Sequence, residues 1–360
     1  MPHKFILSGG GTGGHIFPAL AIAEALKQQL GPCEIHFVGA LGRMEMEKIP
    51  TAGYPITGLP IRGLQRSLSW SNLGVPFAFI KSLNMAKQLL RDFMPDAVIG
   101  TGGYASAAVL FAATQRHIPT LIWEGNGYAG LTNRWLGKKV DCICTGFNGM
   151  ESYFPKEKII YTGNPVRHDL LRLPDRQSAR AAFGLNPEQP VCLVIGGSLG
   201  ARTLNTAMEA CVEALLLAGI QVIWQTGKSY VHPEKTIPAG LWRDVFIQRM
   251  DQAYAAADLV VSRAGALSIA EIAVTGKASI LVPSPNVTED HQTRNALKLS
   301  EHGAALLLPD SEAPDRLCSE ILRLMNDTQA RTQMQQAVQK LAIPDAANRI
   351  AQQVINIMRR

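Results

Sequence analysis

Three times in this chain an apolar run ends in a cluster of glycines and opens into a helical stretch: LSGGGTGG at residues 7–14, VIGTGGY at 98–104 and VIGGSLGA at 194–201. Strand, tight turn and helix in that order are the working parts of a parallel sheet, and few other architectures accommodate them repeatedly. Such glycines let the backbone turn sharply and let a ligand approach the main chain. A helix N-terminus behind each turn offers unpaired N–H groups and the positive end of the helix dipole, so each turn is also a potential anion site.

The alternation extends along the whole chain. In the first half the strand candidates are His3 to Ser8, Cys33 to Val38, Ala97 to Gly100, Thr120 to Trp123 and Val140 to Cys144, with helical patterns such as Ala19 to Gln29 and Ala105 to Arg116 intervening. After TGNPVRHD (162–169) the pattern restarts, with strands expected at Val191 to Ile195, Gln221 to Trp224, Val245 to Gln248, Leu259 to Val261, Ser279 to Val282 and Ala304 to Leu308. The 360 residues therefore read as α/β, two Rossmann-like doubly wound domains facing a cleft, hinged near Gly163-Asn164-Pro165. The expected division is 1–163, 164–344, and a last helix over 345–360 that crosses back to the first domain.

Composition narrows the partners. Apolar residues make up 47% and charged residues 18%, which suits compact domains and excludes disorder. Of the net +6, residues 1–165 carry 15 basic against 10 acidic groups, or +5, leaving 20 against 19 for the rest. A basic first half points to an anionic partner: nucleic acid, a phosphorylated substrate or an anionic lipid surface. The six cysteines lie scattered in or beside apolar runs, as reduced core residues do, and Cys142-x-Cys144 has no second pair to complete a zinc site. No signal peptide is readable, and no uninterrupted apolar run is long enough to span a bilayer.

The motifs discriminate among nucleotide chemistries. Gly9-x-Gly11-x-x-Gly14 matches the dinucleotide fingerprint, but the acidic residue that should end the second strand is replaced by Gly39-Ala40. Gly227-Lys228-Ser229 resembles the tail of a P-loop, yet Val222 stands where its first glycine belongs. His15 follows the first glycine cluster at the start of a helix, where the dipole disfavours an imidazolium and a neutral general base is expected. Ser198 in GGSLGA offers a hydroxyl to a phosphate, Glu271 in SRAGALSIAE can accept two hydrogen bonds from a ribose diol, and EDHQTRNA (289–296) brings amides to a helix start. No D-x-D occurs, so a metal-chelated diphosphate is not expected to be obligatory, and no cofactor is implied.

Taken in order, GGGTGGHIFPALAIAEAL, GTGGYAS, EGNGYAGLTNR, YTGNPVR, GGSLGA, SRAGALSIAEI and EDHQTRNAL resemble the MurG family. The resemblance implies the GT-B fold and an inverting transfer of N-acetylglucosamine from UDP-GlcNAc to the 4-hydroxyl of MurNAc in lipid I, giving lipid II for peptidoglycan synthesis. It implies that Thr12, Gly13 and Gly14 meet the donor and the acceptor diphosphate, that His15 is the general base, and that Gly102, Gly103 and Tyr104 form the acceptor loop. Asn126 would contact the sugar, Arg167 and Ser198 the donor phosphates, and the Met250 backbone the uracil. Ala266, Leu267, Ser268, Ile269, Ala270 and Glu271 would form the nucleotide turn, with Glu271 on the ribose, and Gln292 would read the sugar hydroxyls. The chain departs from the family pattern HEQN at Trp123-Glu124-Gly125-Asn126, and from its usual glutamine at Leu199.

The implied acceptor is a polyprenyl diphosphate, so a non-spanning protein must meet a membrane. Trp70, Leu73, Phe77, Phe79 and Ile80, beside Arg62, Arg66, Lys81, Lys87 and Arg91, suit docking on the anionic cytoplasmic face of the inner membrane. Cell-wall or division proteins are expected partners, and nucleic acid is not. The competing classes are a UDP-N-acetylglucosamine 2-epimerase, a glycosyltransferase acting on diacylglycerol, and a non-catalytic UDP-sugar-binding protein.

Overall fold

The computed structural model describes residues 2–61, 75–231, 237–287 and 290–359. Two compact units emerge: Met1–Arg167 with Pro344–Arg360, and His168–Ile343. The change of unit falls after Arg167, later than Gly163.

The first unit runs β1 (His3–Gly9), α1 (Gly13–Leu30), β2 (Cys33–Ala40), α2 (Glu45–Thr51), β3 (Ile56–Leu59), α3 (Val75–Phe93), β4 (Ala97–Gly102), α4 (Tyr104–Thr114), β5 (Thr120–Glu124), α5 (Leu131–Gly137), β6 (Cys142–Thr145) and β7 (Ile159–Tyr161). Its seven strands pair in parallel in the order β3-β2-β1-β4-β5-β6-β7. Because β1 lies inside the sheet, Phe5, Ile6 and Leu7 form a continuous apolar run that is buried on both faces. Phe5 and Leu7 pack with Ile22 and Leu26 of α1, whereas Ile6 turns to the opposite layer with Val98, Ala108 and Ile122.

The second unit runs α6 (Arg176–Ala182), β8 (Val191–Ile195), α7 (Arg202–Leu217), β9 (Gln221–Gln225), β10 (Leu241–Asp244), α8 (Met250–Ala256), β11 (Leu259–Ser262), α9 (Ala266–Thr275), β12 (Ala278–Leu281), α10 (His291–Ser300), β13 (Leu306–Leu307), α11 (Ala313–Asn326) and α12 (Thr328–Gln339). Its sheet, also parallel, has the order β10-β9-β8-β11-β12-β13. Leu193 and Ile195 face one apolar layer, Cys192 and Val194 the other. The last helix, α13 (Ala346–Met358), packs on the first unit: Ile350, Val354 and Ile357 join the α1 layer, and Gln29 Nε2 donates to Asn348 O at 2.9 Å.

Both doubly wound sheets are therefore present. The deviations lie at the edges. The strand expected at Val245 to Gln248 forms instead at Leu241–Asp244, and β3 and β7, of four and three residues, are too short to stand out. No disulfide links the described cysteines, and Cys142, Cys144, Cys192 and Cys211 are buried.

Candidate active site

In a doubly wound sheet a crevice opens beyond the carboxyl ends of the two strands at which the strand order reverses. In the first unit those strands are β1 and β4, the two that carry the first two glycine turns. The turns interlock, with Gly10 N–H donating to Gly102 O at 3.3 Å and Thr101 Oγ1 donating to His15 O at 2.7 Å. Thr12 is the N-cap of α1 and makes no side-chain cap bond; Gly13 and Gly14 start the helix and His15 completes its first turn.

His15 is half-buried, and its Nδ1 lies 2.9 Å from Gly10 O. A carbonyl oxygen only accepts, so Nδ1 carries the hydrogen and Nε2 of the neutral ring keeps its lone pair. The ring lies against Gly102, where a Cβ would fall 2.8 Å from Nε2. Gly103 caps α4 at positive φ, and Tyr104 beyond it is exposed.

A residue the motifs do not mark organises this loop. Glu45, at the start of α2, is completely buried; its Oε2 accepts from Gly11 N at 2.8 Å and its Oε1 from Ala40 N at 2.9 Å. The Gly11 N–H is thus turned inward, toward the buried carboxylate. Glu45 lies in the charged run RMEMEK, where its burial has no sequence signal.

Asn126 follows β5 and is set by another buried carboxylate. Glu124 accepts from Asn126 N at 3.1 Å, from Gly130 N at 3.0 Å and from Asn133 Nδ2 at 2.9 Å. The departures from HEQN explain each other. Trp123 is 2% exposed, its ring lies over Gly125 where any Cβ would overlap it, and its Nε1 donates to Gly163 O at 3.4 Å. Trp123 therefore belongs to the core and not to the site surface. Arg167 ends the first unit with its guanidinium 5.0 Å from the centre of the Phe17 ring.

In the second unit the order reverses between β8 and β11. The turn after β8 presents Ser198 half-buried, and Leu199, 65% exposed, points outward. Lys228 N–H and Ser229 N–H donate to the carbonyls of Ser198 and Leu199, at 3.3 and 3.1 Å. Gly227-Lys228-Ser229 accordingly buttresses this turn with its backbone amides.

Behind β11, Leu267, Ser268 and Ala270 are partly exposed on α9, whereas Ala266 and Ile269 face inward and the Ile269 N–H donates to Gly265 O at 3.0 Å. Glu271 is buried, and Tyr254 Oη donates to its Oε2 at 3.2 Å. Arg263 ties the neighbouring loops together, pairing with Asp310 and donating to Val282 O at 3.1 Å. Gln292 Oε1 accepts from Ser284 N at 2.9 Å, which orients the amide and spends its carbonyl. Met250 opens α8 with its side chain in the core, and the adjacent Arg249 hydrogen-bonds Asp251, holding that carboxyl below the usual range against the opposing effect of burial. Arg263 lies inside SRAGALSIAE but has no role assigned from the sequence, and Tyr254 lies in none of the motifs, because their partners are on other elements.

Two doubly wound units with a glycine turn at each switch point define a two-domain nucleotide-sugar enzyme. Residues 5–145 match the glycosyltransferase family 28 N-terminal domain and residues 191–350 the family 28 C-terminal domain. The chain is 50% identical over 359 residues to the UDP-N-acetylglucosamine--N-acetylmuramyl-(pentapeptide) pyrophosphoryl-undecaprenol N-acetylglucosamine transferase of Cytophaga hutchinsonii, covering 99% of this chain and 97% of the relative. The same-named protein of Porphyromonas gingivalis is 48% identical, with 99% and 96% covered. The crystal structure of Acinetobacter baumannii MurG superposes with a TM-score of 0.74 at 30% identity, covering 99% of this chain and all of that one. The protein is a family 28 glycosyltransferase. Within it, the chain belongs to the MurG family. A UDP-GlcNAc 2-epimerase from Neisseria meningitidis, 14% identical with a TM-score of 0.67, shares the fold alone.

Proposed function

We propose that this chain transfers N-acetylglucosamine from UDP-GlcNAc to the 4-hydroxyl of MurNAc in lipid I, by a single displacement that inverts the anomeric centre. The observation that carries the reading is the His15 ring, whose Nδ1 is bonded to Gly10 O and whose Nε2 is left to take a proton at the β1/β4 switch point. A sugar hydroxyl is a weak nucleophile at neutral pH, and its deprotonation by Nε2 during attack contributes about 10²- to 10⁴-fold. The departing UDP gathers negative charge, which Arg167, the Ser198 hydroxyl and the amides at helix N-termini offset. In this reading Thr12, Gly13 and Gly14 meet the diphosphates, Asn126 and Gln292 the sugar, Met250 the uracil, and the 266–271 turn the nucleoside, with Glu271 on the ribose held by Tyr254. Gly102, Gly103 and Tyr104 receive the acceptor, and the chemistry asks for no metal.

The lipid acceptor brings the protein to an anionic membrane surface. Phe77 is 76% exposed and Ile80 is also exposed on α3, near the basic Lys81 and Arg91. Phe79 is partly exposed and packs against Trp135 and the core, so it offers less surface to a membrane than its two neighbours. Trp70, Leu73, Arg62 and Arg66 lie outside the described residues. Among the described residues no helix is long and apolar enough to cross a membrane. Docking of the first unit on the cytoplasmic face of the inner membrane is the corresponding proposal, and cell-wall and division proteins are the partners expected there.

The deciding experiment is UDP release from UDP-GlcNAc with and without a lipid I analogue, for the native chain and His15→Ala. Acceptor-dependent release that falls at least about 100-fold in the variant supports both the transfer and the base. Release without acceptor dependence overturns the transfer, and full activity of the variant overturns the base.

A further inference from the structure

The turns after β1, β2 and β4 enclose one peptide group whose two ends are both engaged. The carbonyl of Gly10 lies 2.9 Å from His15 Nδ1, and the N–H of the same peptide, on Gly11, donates to Glu45 Oε2 at 2.8 Å. In a trans peptide the oxygen and the hydrogen point in opposite directions. The imidazole therefore lies on one side of the Gly10–Gly11 peptide and the carboxylate on the other, joined in series.

The surrounding glycines are shaped to this series. A Cβ on Gly10 or Gly39 would overlap Glu45, one on Gly103 would fall 2.6 Å from the Gly10 oxygen, and one on Gly102 would fall 2.7 Å from the His15 ring. The glycine turns after β1 and β4, with Gly39 at the end of β2, thus leave room for the carboxylate, the peptide and the ring. Glu45 is completely buried, and its second oxygen is fixed by Ala40 N–H, so the carboxylate cannot swing away from Gly11.

Hydrogen bonds in series polarise one another, more so away from water. A carboxylate drawing on the Gly11 N–H makes the Gly10 oxygen a stronger acceptor for Nδ1–H. Enzymes commonly fix a histidine tautomer by a direct carboxylate bond to Nδ1–H. Here a peptide group intervenes.

We propose that Glu45 is a positioning residue for His15, acting through the Gly10–Gly11 peptide to keep the hydrogen on Nδ1 and the lone pair on Nε2. The inference rests on His15 being the base, and it adds the group that sets the ring for that role. During transfer no proton leaves Glu45 or the peptide: the hydroxyl proton goes to Nε2, and the imidazolium so formed faces the carboxylate through the peptide.

The test reads the ring directly, by ¹⁵N NMR of histidine-labelled protein, in the native chain and Glu45→Gln. The substitution keeps the shape but removes the charge, and its amide group opposes one of the two N–H donors. The native ring should show a protonated Nδ1 and an unprotonated Nε2 in its neutral form, and the variant should gain the opposite tautomer. In parallel kcat should fall about 10- to 100-fold, with KM for UDP-GlcNAc unchanged. An unaltered ring signature in a folded Glu45→Gln protein, or a raised KM with kcat retained, overturns the proposal. Should that variant not fold, the native chain supplies the answer: the Gly11 amide resonance should move together with the His15 ring as pH is varied, and a silent Gly11 amide overturns it. Ring signals need no turnover, so failure here is distinct from failure of the base assignment, which the activity of His15→Ala reads.

Discussion

Any side chain at position 125 would overlap the Trp123 ring, so the residues that replace the usual histidine and glutamine are coupled through packing. Gly125→Gln alone should destabilise the first unit by about 1–3 kcal/mol, the usual cost of overpacking. Combining it with Trp123→His should recover at least about 0.5 kcal/mol of that as an interaction energy, measured by urea unfolding in a double-mutant cycle. Tyr254 presents a similar dependence at the turn proposed to hold the nucleoside. Removing its hydroxyl in Tyr254→Phe costs Glu271 one hydrogen bond, about 1 kcal/mol. KM for UDP-GlcNAc should then rise about fivefold while kcat is retained, as initial-rate kinetics can check. His15 and Glu271 stand out in the sequence as candidates because each follows a glycine turn into a helix, a local pattern. Glu45 and Tyr254 were not readable, because what defines them is a contact with a residue on another element: Gly11 in one case and Glu271 in the other.

Strands buried on both faces announced themselves as apolar runs, and β1, β8 and β11 fall close to where those runs lie. Among the described residues β10 pairs only with β9, and it is partly exposed, so its sequence LWRD lacks that signature and the more apolar VFIQ beside it misleads. The connection from α9 to β12 carries a further consequence. Lys277, which follows the left-handed Gly276 cap, donates from Nζ to Ala257 O at 2.8 Å, and burial pulls its pKa down to about 8, against a partial restoring effect of Asp258. The unfolded chain holds the proton up to about pH 10.4. Between these values the unfolded state binds more protons, so stability rises with pH. Relative to Lys277→Met, the native chain should gain about 3 kcal/mol between pH 8 and 10.5 in urea titrations. At the other end of the chain, Ile350 of α13 is fully buried against the α1 layer, and Ile350→Ala should cost about 2–5 kcal/mol in the same measurement.

Charge is a property of the molecule as a whole, and its concentration in residues 1–165 bears on where the protein resides. Sedimentation with anionic vesicles at low salt should bring the protein down, and about 0.5 M salt should release most of it, since the Debye length then shrinks to a few ångströms. Phe77→Ser with Ile80→Ser should weaken pelleting at constant salt while leaving UDP-GlcNAc binding intact. Sequence periodicity showed two parallel sheets but carries no contact that would seat the expected returning helix; the packing of Ile350, Val354 and Ile357 on the α1 layer places it in the first unit. That return has a consequence for biosynthesis. Domains generally fold as the ribosome delivers them, N-terminal first, at about 5–20 residues per second. Here the segment that opens the first unit must wait with Ile22 and Leu26 uncovered by α13 until residues 346–358 are translated, so His168–Ile343 is the first unit whose chain is complete.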